Sequence, residues 1–287
     1  MKKIALLLLL AVFSSAFFAI IYKKKNFVDQ VTVAFNPLEK WENDLSDPFL
    51  DQILTQKFTY LGRGTQSIVF SSDDGKYVLK FFKMNHLCPS KWVKYLPYPF
   101  FPNLKKKKVF LKEQKMHRLF DALQYSYREF KDETGLLFIH INRTKNWNKS
   151  VTLIGKNGEP FVHPLGNTSF IIQKKAKPLF PELFQLLETN DIEGAKRSLR
   201  SFLTLIQTRG DKGLFDDDHS VSNNFGFVEG NAIQFDIGEL FLLQDKDLHE
   251  KAVSEVQRIG RRIQSKIEAA HPEFVPIYQE ILREFES

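Results

Sequence analysis

Cysteine is almost absent from this chain. Cys88 is the single cysteine among 287 residues, which excludes a disulfide bond within the chain. The tripeptides Gly-Lys-Ser and Gly-Lys-Thr do not occur, so a phosphate-binding loop of that type is also excluded. The sequence contains neither an internal repeat nor a low-complexity tract. Its length suits one domain, or one domain of two lobes with appendages, and 28 phenylalanines can supply a large core.

Excess positive charge is scarce beyond the first 25 residues. The formal charge is +7, but lysines at positions 2, 3, 23, 24 and 25 leave only +2 for residues 26–287. A nucleic-acid-binding domain is usually far more basic, so we expect no nucleic-acid partner. The four lysines at 105–108 are interpreted as a solvated loop or a membrane-surface patch.

The N-terminal segment carries a long uncharged run. Residues 4–22 contain no charged side chain and are flanked by lysines, and 19 residues are just enough to span a bilayer. We therefore predict a transmembrane anchor at residues 1–25. The alternative is a signal segment cleaved near Ser14-Ser15-Ala16, although the apolar run continues past that point. Residues 26–51, which include Pro37 and Pro48, are predicted to be a linker.

An acidic stretch at residues 215–240 carries the candidate chemistry. Asn223 lies five residues after Asp218, and Asp236 follows thirteen residues later at the start of Asp-Ile-Gly. Residues 224–228 and 232–235 are predicted to form a hairpin, which would place Asn223 and Asp236 at the same edge. Their oxygens suit Mg²⁺, which prefers hard ligands. The alternatives are an acidic surface loop before an ordinary hairpin, and Asn224 rather than Asn223 as the ligand.

Near the front of the domain, a glycine pair precedes a strand with a central lysine. Gly62 and Gly64 lie between two predicted strands, and Lys80 lies in the next strand, at residues 77–82. Because a strand rather than a helix follows the glycines, a dinucleotide-binding fold is excluded. Alternation places Lys80 on the same face as Val78 and Phe82. A lysine buried there requires a carboxylate or a phosphate.

A helix predicted at residues 109–130 offers that carboxylate. Its apolar residues recur at helical spacing, and Glu113 lies three residues before Met116 and seven before Phe120. We therefore predict that Glu113 faces inward and pairs with Lys80. The alternative is that Glu113 lies at the edge of the apolar stripe and reaches water. Residues 84–108, rich in proline and aromatic residues, are predicted to be an inserted loop.

In this order, the glycine loop, the strand lysine, the helix glutamate and the Asp-x4-Asn and Asp-x-Gly motifs resemble the protein-kinase-like superfamily. The resemblance covers roughly residues 52–287. It implies an α+β, bilobal fold, with an antiparallel sheet and one main helix in residues 52–173 and a small, mostly helical lobe in residues 178–287. It also implies ATP and Mg²⁺ as ligands and a phosphotransferase activity. An ATP-dependent domain should face the cytoplasm.

The resemblance also implies a role for each matching residue. These roles are Asp218 as catalytic base, Asn223 and Asp236 as Mg²⁺ ligands, Gly62 and Gly64 as phosphate-binding amides, Lys80 as the phosphate contact held by Glu113, and backbone groups around Gln173 and Lys175 as the adenine site. His140 and His163 have no companion ligands in the sequence, so both are interpreted as structural.

Departures from the superfamily pattern bear on the substrate. Ser67 replaces the third glycine, Asp216-Asp217 precede the expected base where protein kinases carry His-Arg, and only 49 residues follow Gly238. These features favour a kinase of small molecules or lipid-saccharides over a typical protein kinase, with the acceptor unknown. One alternative is a membrane-tethered pseudokinase acting as an interaction module. Another is an unrelated α+β protein, in which Lys80 and Asp236 would lie far apart.

Overall fold

The computed structural model describes residues 26–89, 102–216, 221–238 and 240–285. Within these ranges, no helix combines the length and the apolar character needed to cross a membrane. The predicted anchor at residues 1–25 lies outside them, so the structure does not bear on it.

The sheet half of the chain, residues 57–174, is built on one seven-stranded sheet. Its strands are β1 (Lys57–Arg63), β2 (Ser67–Ser72), β3 (Tyr77–Phe82), β4 (Leu136–His140), β5 (Ser150–Ile154), β6 (Pro160–Pro164) and β7 (Phe170–Lys174). They lie in the order β4-β7-β3-β2-β1-β5-β6. The hairpin predicted around the glycine pair is confirmed. A second hairpin joins β5 to β6 around Asn157-Gly158, a dipeptide that favours this turn.

The expected antiparallel sheet is mixed instead, because β5 runs parallel to β1. The chain leaves β4 at one edge of the sheet and returns beside β1, four strands away. In that connection, Trp147 stacks on Phe170, with ring centroids 6.2 Å apart. The connection therefore packs on the sheet, and it delivers β5 in the same direction as β1.

The helical half, residues 177–285, holds two further small sheets and five of the ten described α-helices. Its strands are β8 (Lys177–Pro178), β9 (Leu214–Asp216), β10 (Phe225–Val228), β11 (Asn231–Gln234) and β12 (Leu240–Leu242).

The α-helices of the described chain are α1 (Phe27–Val31), α2 (Pro48–Leu54), α3 (Met84–Leu87), α4 (Pro102–Glu129), α5 (Lys131–Thr134), α6 (Leu179–Glu188), α7 (Ile192–Asp211), α8 (Val221–Asn224), α9 (Leu248–Ala270) and α10 (Val275–Arg283).

Local sequence signals account for several of these bounds. The Asp191 side chain accepts a hydrogen bond from the Gly194 backbone N–H at 2.8 Å and so caps α7. The β10–β11 hairpin turns at Glu229 and Gly230, both with positive φ, which matches the twist of the flanking strands. Helix α9 runs from Leu248 to Ala270 because its apolar residues keep helical spacing throughout that range.

A glycine just after the last apolar residues of a helical pattern predicts that the helix ends before it, but this prediction is wrong for Gly210 and α7. Gly210 is within the helix, where a Cβ would lie 2.6 Å from the Cβ of Ala252 on α9. The glycine therefore permits close packing of the two helices. Gly213, with φ of +81°, supplies the left-handed residue that follows α7.

Residues 26–51, predicted to be a linker, pack onto the sheet half and contribute to its cores. Val31 is fully buried, and Trp41 is 1% exposed beside Phe120 of α4. Its scattered charges and its two prolines, Pro37 and Pro48, made it resemble a linker, but several of its apolar side chains are buried.

The residues that follow β3 also differ from the predicted loop. Residues 90–101 lie outside the described ranges, but helix α4 begins at Pro102. Proline is well tolerated in the first turn of a helix, where its missing N–H would have no helical acceptor. The four lysines at 105–108 are therefore helical rather than in a loop.

Candidate functional site

A cleft of about 660 Å³ separates the sheet half from the helical half. Its walls combine the glycine loop, the inner face of β3, one side of α4 and the segment after β11. The polar and charged residues that line it are Arg63, Thr65, Gln66, Ser67, Lys80, Lys115, Lys174, Lys175, Asp216, Asn224 and Asp236. Apolar side chains, among them Val69 and Ile171, complete the walls.

Lys80 reaches across this cleft from the sheet half. Val78, Lys80 and Phe82 all line the cleft, as alternation on the strand predicted. The Lys80 Nζ donates a hydrogen bond to the Phe235 carbonyl at 2.7 Å. Burial lowers the lysine pKa, and the Asp236 carboxylate is close enough to oppose that shift. The alternative in which Lys80 and Asp236 lie far apart is thus contradicted.

Asp236 enters the cleft at the end of the β10–β11 hairpin. Its side chain is exposed to the cleft, and Oδ1 accepts a hydrogen bond from the Gly238 backbone N–H at 3.2 Å. The Phe235 N–H donates to the Asn224 carbonyl at 2.8 Å, which closes the base of the hairpin. This local geometry holds the carboxylate at the cleft wall without burying it.

Of the two adjacent amides, the structure brings Asn224 to the cleft. Asn224 is 2% exposed overall and lines the cleft, whereas Asn223 is exposed and is not among the described lining residues. The reason is that residues 221–224 form a turn of helix rather than a strand start, so neighbouring side chains point in different directions. The expected base, Asp218, lies outside the described residues.

The glycine loop is a tight hairpin turn. Gly62 pairs with Val69, and the Gly64 N–H donates to the Ser67 carbonyl at 3.0 Å. The expectation that the Gly64 amide is directed at a ligand is therefore wrong in this conformation. The buried Lys83 side chain donates to the Gly64 carbonyl and ties the loop to the end of β3.

The predicted pairing of Glu113 with Lys80 is also wrong. Glu113 is exposed and does not line the cleft among the described residues; Lys115, Leu119 and Leu123 do. Glu113 and Lys115 are about 200° apart around the helix, on opposite flanks of the buried stripe. The cleft lies on the flank that carries Lys115, so Glu113 reaches water.

In the expected adenine-binding segment, several hydrogen-bonding groups are already bonded to other groups of the protein. Gln173 is fully buried, and its Nε2 donates to the Thr134 carbonyl at 2.9 Å, so its side chain does not face the cleft. Lys175 does line the cleft, but its backbone N–H donates to the Lys76 carbonyl at 2.8 Å. The Lys174 N–H is similarly bonded to Gly135. These two amides are therefore not directed at a ligand.

Asp216 is a cleft residue that sequence reasoning missed. It is 8% exposed, and its Oδ2 accepts a hydrogen bond from Gln234 Nε2 at 2.6 Å. Arg209, buried on α7, lies 3.7 Å from the same oxygen. The sequence carries a signal for this arrangement, because Arg209 falls three residues after Ile206 on the apolar stripe of α7.

Among the described residues, cationic side chains outnumber acids in the cleft. Five lysine and arginine residues of this part of the chain line it, against Asp216 and Asp236. Because the walls also contain apolar side chains, the positive potential is focused within the cleft. The arrangement favours a polyanionic ligand.

The two histidines interpreted as structural lie apart from the cleft. His140 Nδ1 is 2.7 Å from the Thr168 carbonyl, and His163 packs edge-on against Phe81. Burial lowers the pKa of each imidazole to about 4. Both side chains are thus neutral near pH 7.

Lys80 should be unusually reactive toward acylating reagents. Burial lowers its pKa to about 8, with the Asp236 carboxylate opposing the shift. The uncharged, nucleophilic amine should therefore form as the pH rises through about 8, whereas ordinary lysines titrate near 10.4. The measurement is the rate of acylation against pH, followed by peptide mass spectrometry.

The exposed Lys57 on β1 is the internal control for this labelling. Asp236→Asn should lower the Lys80 pKa further, because the carboxylate that favours the ammonium is lost. A Lys80 labelling midpoint near 10 would contradict the burial of the amine.

Comparison with known proteins gives a limited result. No family model and no curated protein matches the chain. Solved structures of WbdD, described as a bifunctional kinase-methyltransferase, align with 77% of this chain at 14–15% sequence identity. The TM-scores are 0.32 and 0.33, and the alignments cover 42% and 45% of the WbdD chains. The chain thus spans less than half the length of those structures.

Proposed function

We propose that this chain is an ATP- and Mg²⁺-dependent phosphotransferase with a bilobal, protein-kinase-like fold. The observation that carries the proposal is the meeting of Lys80, Asp236 and Asn224 at one cleft, although they come from distant parts of the chain. A cation beside two oxygen-bearing side chains suits a nucleotide phosphate with its metal. The cationic lining of the cleft supports the same ligand.

The glycines at 62 and 64 add support from a different direction. A Cβ at either position would meet no atom within 4 Å, and neither residue has a positive φ. The fold therefore does not require glycine at either position. A ligand that approaches the loop backbone closely would require it.

The proposed mechanism assigns one task to each group. The Lys80 ammonium binds the α- and β-phosphates. Its hydrogen bond to the Phe235 carbonyl is then exchanged for one to a charged phosphate oxygen. Asp236 and Asn224 fit Mg²⁺, because both offer hard oxygen atoms at the same wall of the cleft. When bound, Mg²⁺ would neutralise negative charge on the phosphate oxygens. Asp218, by the resemblance of its motif, would accept the proton of the acceptor hydroxyl.

The first test is nucleotide binding by the full-length chain. Lys80→Met should weaken the affinity for MgATP by roughly tenfold or more, since one charge-assisted contact to phosphate is lost. Isothermal titration calorimetry measures the effect, with Lys57→Met as the matched control on the outer part of the sheet. Absence of MgATP binding by the wild-type chain at millimolar nucleotide would refute the proposal.

The second candidate, a pseudokinase that serves as an interaction module, is favoured by one observation. The Gly64 amide is bonded to Ser67 within the loop, so this amide offers no hydrogen bond to a phosphate. Turnover separates the two candidates. Asp218→Ala should retain MgATP binding and lose ATP turnover in an enzyme, whereas a pseudokinase shows no turnover before the substitution.

A further inference from the structure

A buried network of charged and amide groups lies behind the cleft in the helical half. Arg209 on α7 is 2% exposed, and its Nη2 donates to Glu255 Oε1 on α9 at 2.6 Å. Its Nη1 donates to the Gln234 side-chain carbonyl and lies 3.7 Å from Asp216 Oδ2. The network thus joins two helices to the ends of two strands.

Gln234 connects this network to both acids of the cleft. Its Nε2 donates to Asp216 Oδ2 at 2.6 Å and to the Asp236 carbonyl at 3.1 Å. Asp216 immediately precedes residues 217–220, and Asp236 begins the Asp-Ile-Gly triplet. One buried amide therefore fixes the two chain segments relative to each other.

Stability alone is a poor reason for such a network. Burying charged groups is costly, and replacing a buried ion network by well-packed apolar residues is often neutral or stabilising. Arg209 and Gln234 do not line the cleft among the described residues, whereas Asp216 and Asp236 do. Their contacts can affect a bound ligand through the placement of those two acids.

We infer that Arg209 is a positioning residue for the wall of the cleft that carries Asp216 and Asp236. Anchored by Glu255, it orients the Gln234 amide, which in turn fixes the spacing between Asp216 and the Asp236 backbone. The effect of this positioning on Mg²⁺ rests on the proposed function, in which the spacing between Asp216 and Asp236 sets where Asp236 can bind the metal. The placement itself exists without a nucleotide.

Arg209→Lys tests the inference, because lysine keeps the charge and loses the planar fork that holds two partners. Hydrogen exchange of the nucleotide-free chain should accelerate by roughly tenfold in both 214–216 and 235–238, as expected when a hydrogen bond that opposes local opening is lost. The affinity for MgATP should fall by a similar factor, while the affinity for ATP without Mg²⁺ stays the same.

Arg200→Lys is the matched control. Arg200 lies on the same helix and forms a two-point ion pair with Glu284 on the protein surface, away from the cleft. Arg200→Lys should change neither the hydrogen-exchange rates of segments 214–216 and 235–238 nor the affinity for MgATP. Glu255→Gln, which keeps the shape of the side chain, provides a milder variant if Arg209→Lys does not fold.

The outcomes separate the two proposals. If exchange rises uniformly through the helical half, Arg209 has only a structural role and the positioning inference is overturned. If the two segments respond together but the wild-type chain binds no MgATP, the positioning inference stands and the phosphotransferase proposal fails.

Discussion

The Asp236→Asn protein is expected to keep its fold, while the rate of the proposed phosphoryl transfer falls by about a hundredfold or more. This is the scale seen when one preorganised electrostatic group is removed. Asparagine retains an oxygen that can accept the Gly238 N–H, now at 3.2 Å, so the local turn should persist. What disappears is the negative charge that would bind Mg²⁺. The measurements are ATP turnover and the Mg²⁺ dependence of nucleotide affinity.

Glu113→Gln is the matched control for this substitution. It removes one acidic charge from an exposed position on α4 that does not line the cleft among the described residues. It should leave both turnover and stability unchanged. Equal losses in the two variants would mean that overall charge, rather than a metal ligand at Asp236, governs activity.

Trp41→Ala is expected to lower the free energy of unfolding by about 3–5 kcal/mol, the range for truncating a large buried aromatic side chain. Trp41 is 1% exposed and packs against Phe35 and Phe120, with ring centroids 5.6 and 5.1 Å away. Its Nε1 also donates to Asp121 Oδ1 at 2.7 Å. The substitution would leave a cavity between the N-terminal segment and α4.

Urea denaturation monitored by circular dichroism measures this effect. Phe49→Ala is the control within the same segment. Because Phe49 is 42% exposed, its truncation should lower the free energy of unfolding far less. Equal, small losses for both variants would show that residues 26–51 behave as the linker that the sequence predicts.

Local features of the structure were predictable because short-range chemistry determines them. The hairpin turn at Gly158, the cap at Asp191 and the bounds of α9 each depend on residues within one or two turns of chain. Alternation alone placed Lys80 on the face that lines the cleft. These signals need no knowledge of distant partners.

Two of the errors, at Glu113 and at Asn223, concern a side chain that lies near the boundary between two faces of a helix. Glu113 and Lys115 flank the same buried stripe, and only the packing of α4 against the sheet decides which flank meets the cleft. Asn223 and Asn224 differ by one position in a helical turn, where one step rotates a side chain by about 100°. Periodicity cannot settle such pairs.

The sequence by itself determined the strand position of Lys80 and the hairpin that ends at Asp236, because propensity and periodicity act locally. Only the tertiary structure decided that Lys80 meets Phe235 and Asp236, that Asn224 rather than Asn223 lines the cleft, and that Arg209 reaches Gln234 and Glu255. These contacts join residues far apart in the chain, and the packing of the two halves creates them.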